Sequence, residues 1–243
     1  MEMFPPDGEH STGAAMLVFP GGAYTFISEK SGAEYGCWLA SHGVTAFVVH
    51  YRLGSRGYRY DACLADAQRA FFLLRAVPDK WQIDPRRIGV IGTSAGGHLA
   101  ALLLTQAGPQ GSGDLAADHL ERAARPALGV LCYPVVSMTD PMAHVDSRQN
   151  FLGDRHHDVA LQRRLSPILA VDTDTPPCFI WHANEDEEVT PANSVCFADA
   201  LRAHGVPYEL HLYAKGPHRL GLATGYGLHW TLDCIRWLRS YGF

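Results

Sequence analysis

Apolar residues in this chain fall into two alternating patterns. The first is a short, nearly unbroken run. Residues 14–19 (AAMLVF), 44–50 (VTAFVVH), 88–91 (IGVI), 127–132 (ALGVLC), 178–182 (CFIWH) and 208–213 (YELHLY) read this way. Such runs, rich in β-branched and aromatic side chains, suit strands covered on both faces. The second pattern recurs every three to four residues. It predicts a helix over 61–77, with Leu64, Ala67, Phe71 and Leu74 on one face and Pro78 as the stop. Further helices are expected over 32–42 (ended by Gly43), after Ser94 through Leu104, near 158–165, over 191–204 (closed by Gly205) and over 227–240. Strand and helix alternate throughout. That order implies an α/β fold with a mainly parallel sheet of about six strands and helices on both faces.

Three stretches break the alternation. Residues 25–31 read as loop. Residues 108–125 are Gly-rich and then polar, an excursion with partial helical character. Residues 137–167 show weak periodicity, several charges and three histidines. The last is expected to be a short cap-like insertion over the strand ends. No internal repeat, low-complexity tract or linker interrupts the chain, so residues 1–243 are expected to form one domain.

Composition narrows the function. With 47% hydrophobic and 19% charged residues, a chain of 243 residues can bury a large core. A net charge of −5 and the lack of any Lys/Arg run argue against a nucleic-acid partner. No apolar run approaches the length of a membrane span, and residues 1–13 show no basic, then apolar leader, so a cytoplasmic location is expected. The six cysteines form no C-x-x-C pair and mostly lie in apolar segments, which predicts reduced thiols. Thirteen histidines give no metal-ligand spacing, and His156-His157-Asp158 reads as a solvated loop. Oligomeric state leaves no mark in the sequence.

The chemistry enters at Gly92-Thr93-Ser94-Ala95-Gly96. This is G-x-S-x-G between a buried strand and a strong helix, the context of the nucleophile elbow in α/β-hydrolases. A serine there sits on a sharp turn at a helix N-terminus, where free N–H groups favour a developing negative charge. Such a nucleophile needs a base and an acid, in the chain order Ser, acid, His. His218 lies just after the sixth strand, on a loop made irregular by Gly216 and Pro217. The fifth strand is followed by Glu185-Asp186-Glu187-Glu188. Asp186 is the preferred acid, because Val189 three residues on can pack the loop down; Glu185 is its rival. Pro20-Gly21-Gly22-Ala23 follows the first strand, where oxyanion donors are expected. The backbone N–H groups of Gly22 or Ala23 and of Ala95 are the candidates. Tyr24, Phe26, Tyr133, Phe151, Trp181 and Leu220 are the candidates for the substrate pocket wall.

Taken together, FPGGAYTFIS, AFVVHYRL, DAQRAFFLLR, WQIDPRRIGVIGTSAGGHLAA, YPVVSM, SRQNFLG, TPPCFIWHANEDEEVTPANS and GPHRLGLA span nearly the whole chain. In this order they resemble the compact esterase family of α/β-hydrolases that contains acetylxylan esterases and bifunctional acetyl/feruloyl esterases. The resemblance implies Ser94 as nucleophile, Asp186 as acid and His218 as base. It implies hydrolysis of short-chain acyl esters, acetyl esters of xylan fragments above all and feruloyl esters as well. Pro20 stands where many lipases have His, and Ala23 where a third Gly is common. The expected partner is a small-molecule or oligosaccharide ester, and the chemistry requires no metal or organic cofactor. Two other readings keep the fold but change the bond, a peptidase related to prolyl-oligopeptidases or an arylformamidase. A non-catalytic binding protein on the same fold is the reading from another class.

Overall fold

The computed structural model of the chain describes residues 1–106 and 125–243, so the excursion expected over 108–125 lies almost entirely outside the described residues. The first strand, β1 (Glu2–Phe4), is followed by β2 (Ala15–Phe19), β3 (Thr45–Val48), β4 (Ile88–Thr93), β5 (Gly129–Cys132), β6 (Cys178–Ala183) and β7 (Tyr208–Tyr213). They form one seven-stranded sheet in the order β1-β3-β2-β4-β5-β6-β7. Six strands run parallel, and β1 pairs antiparallel with β3 through Glu2↔Val48 to Phe4↔Ala46. That short edge strand is the difference from the six expected. Three residues with no apolar run leave no pattern to read. Strands β2 to β6 are buried along their whole length, as continuous apolar runs demand when both faces are covered.

The described α-helices are α1 (Ala33–Ser41), α2 (Tyr60–Ala76), α3 (Pro78–Trp81), α4 (Ala95–Thr105), α5 (Val145–Leu152), α6 (Val159–Arg164), α7 (Ala192–Ala203) and α8 (Trp230–Ser240). They divide the core in two. One layer gathers α2, α4, α5 and α7 side chains such as Phe71, Leu99, Phe151 and Phe197. The other gathers α1 and α8 side chains such as Leu39, Trp230 and Trp237. Pro78 does end α2, and it also starts α3, where its missing N–H costs nothing. No described helix is long and apolar enough to cross a membrane.

Residues 137–167 hold α5, a 3-10 turn over Gly153–Arg155 and α6. Helix α5 has no strong periodicity because only Ser147, Phe151 and Leu152 are buried. It is fixed by polar contacts instead. His144 caps its N-terminus, and Asn150 Nδ2 donates to the Ala23 carbonyl (3.0 Å) and to Thr25 Oγ1 (2.9 Å). This segment is thus tied to the loop after β2.

Candidate active site

Strand β4 delivers Ser94 at its end, and α4 begins at the next residue. Ser94 has φ 52° and ψ −119°, a conformation that costs a side-chain-bearing residue about 1–3 kcal/mol. Its surroundings hold it there. Its N–H donates to the Cys132 carbonyl, and its own carbonyl accepts from Val135 and His98 N–H, each at 3.1 Å. The two glycines of the motif have a steric cause. A Cβ on Gly96 would overlap the carbonyl oxygens of Phe19 and Pro20, and one on Gly92 would overlap the carbonyl of Gly96. The elbow therefore presses α4 against the end of β2.

His218 lies in the loop after β7. Its Nε2 is 2.9 Å from Ser94 Oγ and its Nδ1 is 2.6 Å from Asp186 Oδ2. The Tyr133 ring packs edge-on against the imidazole, with centroids 4.9 Å apart, and Tyr133 Oη accepts from Gly221 N–H at 3.1 Å. Asp186 sits in the turn after β6, 5% exposed. Its Oδ1 accepts from the N–H groups of Glu188 (3.0 Å) and Val189 (2.9 Å). Burial alone would push this carboxyl up. The hydrogen bonds from His182 and His218 outweigh burial and hold it well below the usual carboxylate range. A carboxylate facing Nδ1 keeps the proton on that nitrogen, so Nε2 is the free base that faces the hydroxyl. Glu185 does something else. Its Oε2 accepts from Gly216 N–H at 3.1 Å, so it holds the His218 loop by the backbone.

The loop after β2 places Gly22 and Ala23 on the wall of the cavity that contains Ser94 and His218. Among the described residues, the N–H groups of Gly22, Ala23 and Ala95 have no acceptor. The loop is held from behind, with Tyr51 Oη donating to the Pro20 carbonyl (2.6 Å) and Gly21 N–H to Ser31 Oγ (3.1 Å). The cavity measures about 290 Å³ and has Lys30, His144, Glu188 and Arg219 among its lining residues. A larger and more open depression, about 530 Å³, lies between α1 and residues 220–224 and touches none of Ser94, Asp186 and His218. The smaller cavity is therefore the one that the chemistry selects.

Of the six pocket candidates, Phe26 and Tyr133 line this cavity. The other four do not, and each has a physical reason. Tyr24 is fully buried, donating toward His98 Nδ1 (2.7 Å) and stacked on Phe151 at 4.5 Å between centroids. Phe151 faces inward as the apolar anchor of α5. Trp181 packs on Trp230 of α8 in the opposite core layer, and Leu220 faces the larger depression.

Four cavity or support residues were not among the candidates read from the sequence. Thr93 Oγ1 is buried at the cavity wall with no partner among the described residues, and His144 reaches the wall from the insertion. His98, one turn after Ser94, is fully buried, its Nε2 donating to the Leu165 carbonyl (2.7 Å) and its Nδ1 accepting from Tyr24. Burial pushes this imidazole down to about 4, against the opposing pull of the Leu165 carbonyl. His182, on β6, is fully buried beside Asp186. The available signal was a polar residue inside an apolar run, which must find partners when buried. All six cysteines are free, and no cluster of three or more His, Cys, Asp or Glu able to hold a metal occurs among the described residues.

A Ser hydroxyl, an imidazole and a buried carboxylate in one hydrogen-bonded line can move a proton off the hydroxyl as it attacks a carbonyl. The BD-FAE family pattern matches residues 1–201 of the chain. The chain belongs to the BD-FAE family. This α/β-hydrolase fold is shared with an acetyl ester-xyloside bifunctional hydrolase from Caldicellulosiruptor lactoaceticus, 42% identical, with a TM-score of 0.89 over 99% of this chain and 87% of that one. The chain is 32% identical to an acetylxylan esterase of Xylanibacter ruminicola, over 96% of its own length and 46% of that protein's. It is 31% identical to endo-1,4-beta-xylanase B of Butyrivibrio fibrisolvens, over 86% of its length and 33% of that protein's. This BD-FAE chain thus spans less than half the length of these two curated relatives.

Proposed function

We propose that the chain is a serine carboxylic-ester hydrolase for short acyl esters, acting on acetyl groups carried by xylan fragments. The observation that carries this is the line from Ser94 Oγ through His218 to Asp186 Oδ2, with steps of 2.9 and 2.6 Å, at the cavity wall. Ser94 attacks the ester carbonyl while His218 Nε2 takes its proton. The carbonyl oxygen becomes an oxyanion facing the free N–H groups of Gly22, Ala23 and Ala95. His218 returns the proton to the leaving alcohol, and water repeats the sequence to release the acid. Asp186 keeps the imidazole oriented and stabilises its charged form. None of these steps calls on a metal or an organic cofactor.

The carbohydrate part of the reading is supported by the two relatives whose names carry an acetyl ester of xylan or xyloside. Residues 1–243 are read as one catalytic domain with 137–167 as an insertion, and a small-molecule or oligosaccharide ester as its substrate. Feruloyl esters are the next substrates to test. The experiment is a rate panel with acetylated xylo-oligosaccharides, p-nitrophenyl acetate, a feruloyl ester, N-formylkynurenine and an aminoacyl p-nitroanilide, alongside labelling by a fluorophosphonate. The expected result is labelling at Ser94 and fastest turnover on acetyl esters. Cleavage of the formamide or anilide above the acetyl esters overturns the reading in favour of an arylformamidase or peptidase. No labelling and no turnover would leave a binding protein.

A further inference from the structure

The hydrogen-bonded line does not end at Asp186. His182 Nε2 lies 3.1 Å from Asp186 Oδ2 and 2.9 Å from the Val189 carbonyl oxygen, and His182 Nδ1 lies 2.7 Å from Ser194 Oγ. His182 and Ser194 are both fully buried. The two groups facing Nε2 only accept, so Nε2 carries a hydrogen. Ser194 Oγ has no other partner among the described residues. When it donates to Nδ1, every polar atom of the set is satisfied. Were His182 doubly protonated, the hydroxyl hydrogen of Ser194 would face no acceptor in a dry interior, a costly arrangement. The set therefore selects a neutral His182 with its hydrogen on Nε2. Asp186 then accepts four hydrogen bonds, from Glu188 and Val189 N–H on Oδ1 and from His182 and His218 on Oδ2.

We infer that His182 is a positioning residue for the ester reaction. Its Nε2–H fixes Asp186 Oδ2 and draws on the charge of that oxygen, which His218 shares, while Ser194 locks the tautomer that does so. This rests on the reading of Ser94, His218 and Asp186 as nucleophile, base and acid. Without the second donor, the carboxylate turns more freely and its charge falls wholly on His218. The imidazolium is then held more strongly, and a higher pH is needed to free the base. The other titratable and charged groups near this set are Tyr133, whose ring packs on both imidazoles, Lys30, His144, Glu188 and Arg219 of the cavity wall, and Glu185, which holds the His218 loop. All of these stay constant across the variants.

The test uses the whole chain, p-nitrophenyl acetate and three variants, His182→Leu, His182→Gln and Ser194→Ala. Gln can place an N–H near the position of Nε2–H, whereas Leu cannot. In His182→Leu, kcat is expected to fall about 10- to 100-fold with little change in KM, as small misplacements of reacting groups do. The acid limb of kcat/KM should move to higher pH. His182→Gln should return the limb and most of kcat, with Ser194→Ala between the two. A limb at the wild-type position in folded His182→Leu overturns the inference, as does a Gln variant no better than Leu. If the Leu variant does not fold, a wild-type limb in Ser194→Ala overturns it. The downfield proton resonance of the His218–Asp186 bond, read without substrate, separates the two readings. A resonance that shifts among the variants of a chain that cleaves no ester sinks the esterase reading and keeps the network. An unchanged resonance and limb in an active chain sink the role of His182.

Discussion

Ser94 has a backbone conformation that few side-chain-bearing residues adopt, and the fold is built to keep it there. Ser94→Ala should retain the fold, since Ala is smaller and its N–H and carbonyl keep the same partners. Ester hydrolysis should fall below a tenth of wild type, with circular dichroism unchanged; a higher residual turnover would remove Ser94 from its role. Asp186→Asn should cost up to about 10⁴-fold in turnover, because an amide can stabilise the wrong imidazole tautomer. Glu185→Gln should change turnover little, since its side chain meets Gly216 N–H and not His218. Turnover of both variants between about pH 6 and 9 checks this pair. The three residues in line were legible because each sits at a position that strand order prescribes. The choice between Asp186 and Glu185 was not, because neighbouring carboxylates on a turn differ only in which way the turn aims them. His98 and His182 escaped for a different reason. The partners of His98, Tyr24 and the Leu165 carbonyl, lie far along the chain, which no local spacing encodes. Those of His182, which are Asp186, Val189 and Ser194, are near in sequence but meet its ring only through the turn after β6.

Elements supply the next layer of constraint. Gly96 joins α4 to the end of β2 so closely that Gly96→Ala should destabilise the protein by about 2–3 kcal/mol, as overpacking does. Because Pro20 begins the loop that bears Gly22 and Ala23, activity should fall with it. Urea unfolding together with turnover at a temperature where the variant stays folded measures both. The cavity of about 290 Å³ and the short insertion that reaches it favour small acyl groups. Acetyl p-nitrophenyl ester should be cleaved faster than butyryl and far faster than octanoyl, and the opposite order in kcat/KM would contradict this. The buried parallel strands were readable because each is a continuous apolar run. Strand β1 was not, being three residues at an edge. Helix α5 was not, because its seat depends on Asn150 and a capping histidine more than on an apolar stripe.

For the molecule as a whole, acid should loosen the packing through His98. Its folded value of about 4 lies below the 6.5 of a free imidazole, so the unfolded chain binds the proton more readily. The stabilising contribution is complete above pH 6.5 and is lost as pH falls from there toward 4. For a group this deeply buried the loss is on the order of 3 kcal/mol. Asp186, held low, adds a loss in the same direction that begins only as pH drops through the ordinary carboxylate range. Urea midpoints between pH 7 and 4 should therefore decline in the wild type, and His98→Asn should be less stable at pH 7 but flatter across that window. A decline of equal slope in both would show that other groups carry the acid sensitivity. The bond from Asn150 to the Ala23 carbonyl bears on how such a scaffold can be altered. Residues 137–167 are hydrogen-bonded to the backbone of the site, so this segment is not expected to behave as an exchangeable lid. A longer segment grafted over 137–167 to admit bulkier esters would have to bring its own amide donor to that carbonyl. Otherwise the graft would widen the entrance while detuning the loop that bears Gly22 and Ala23, and selectivity and rate would be expected to change together.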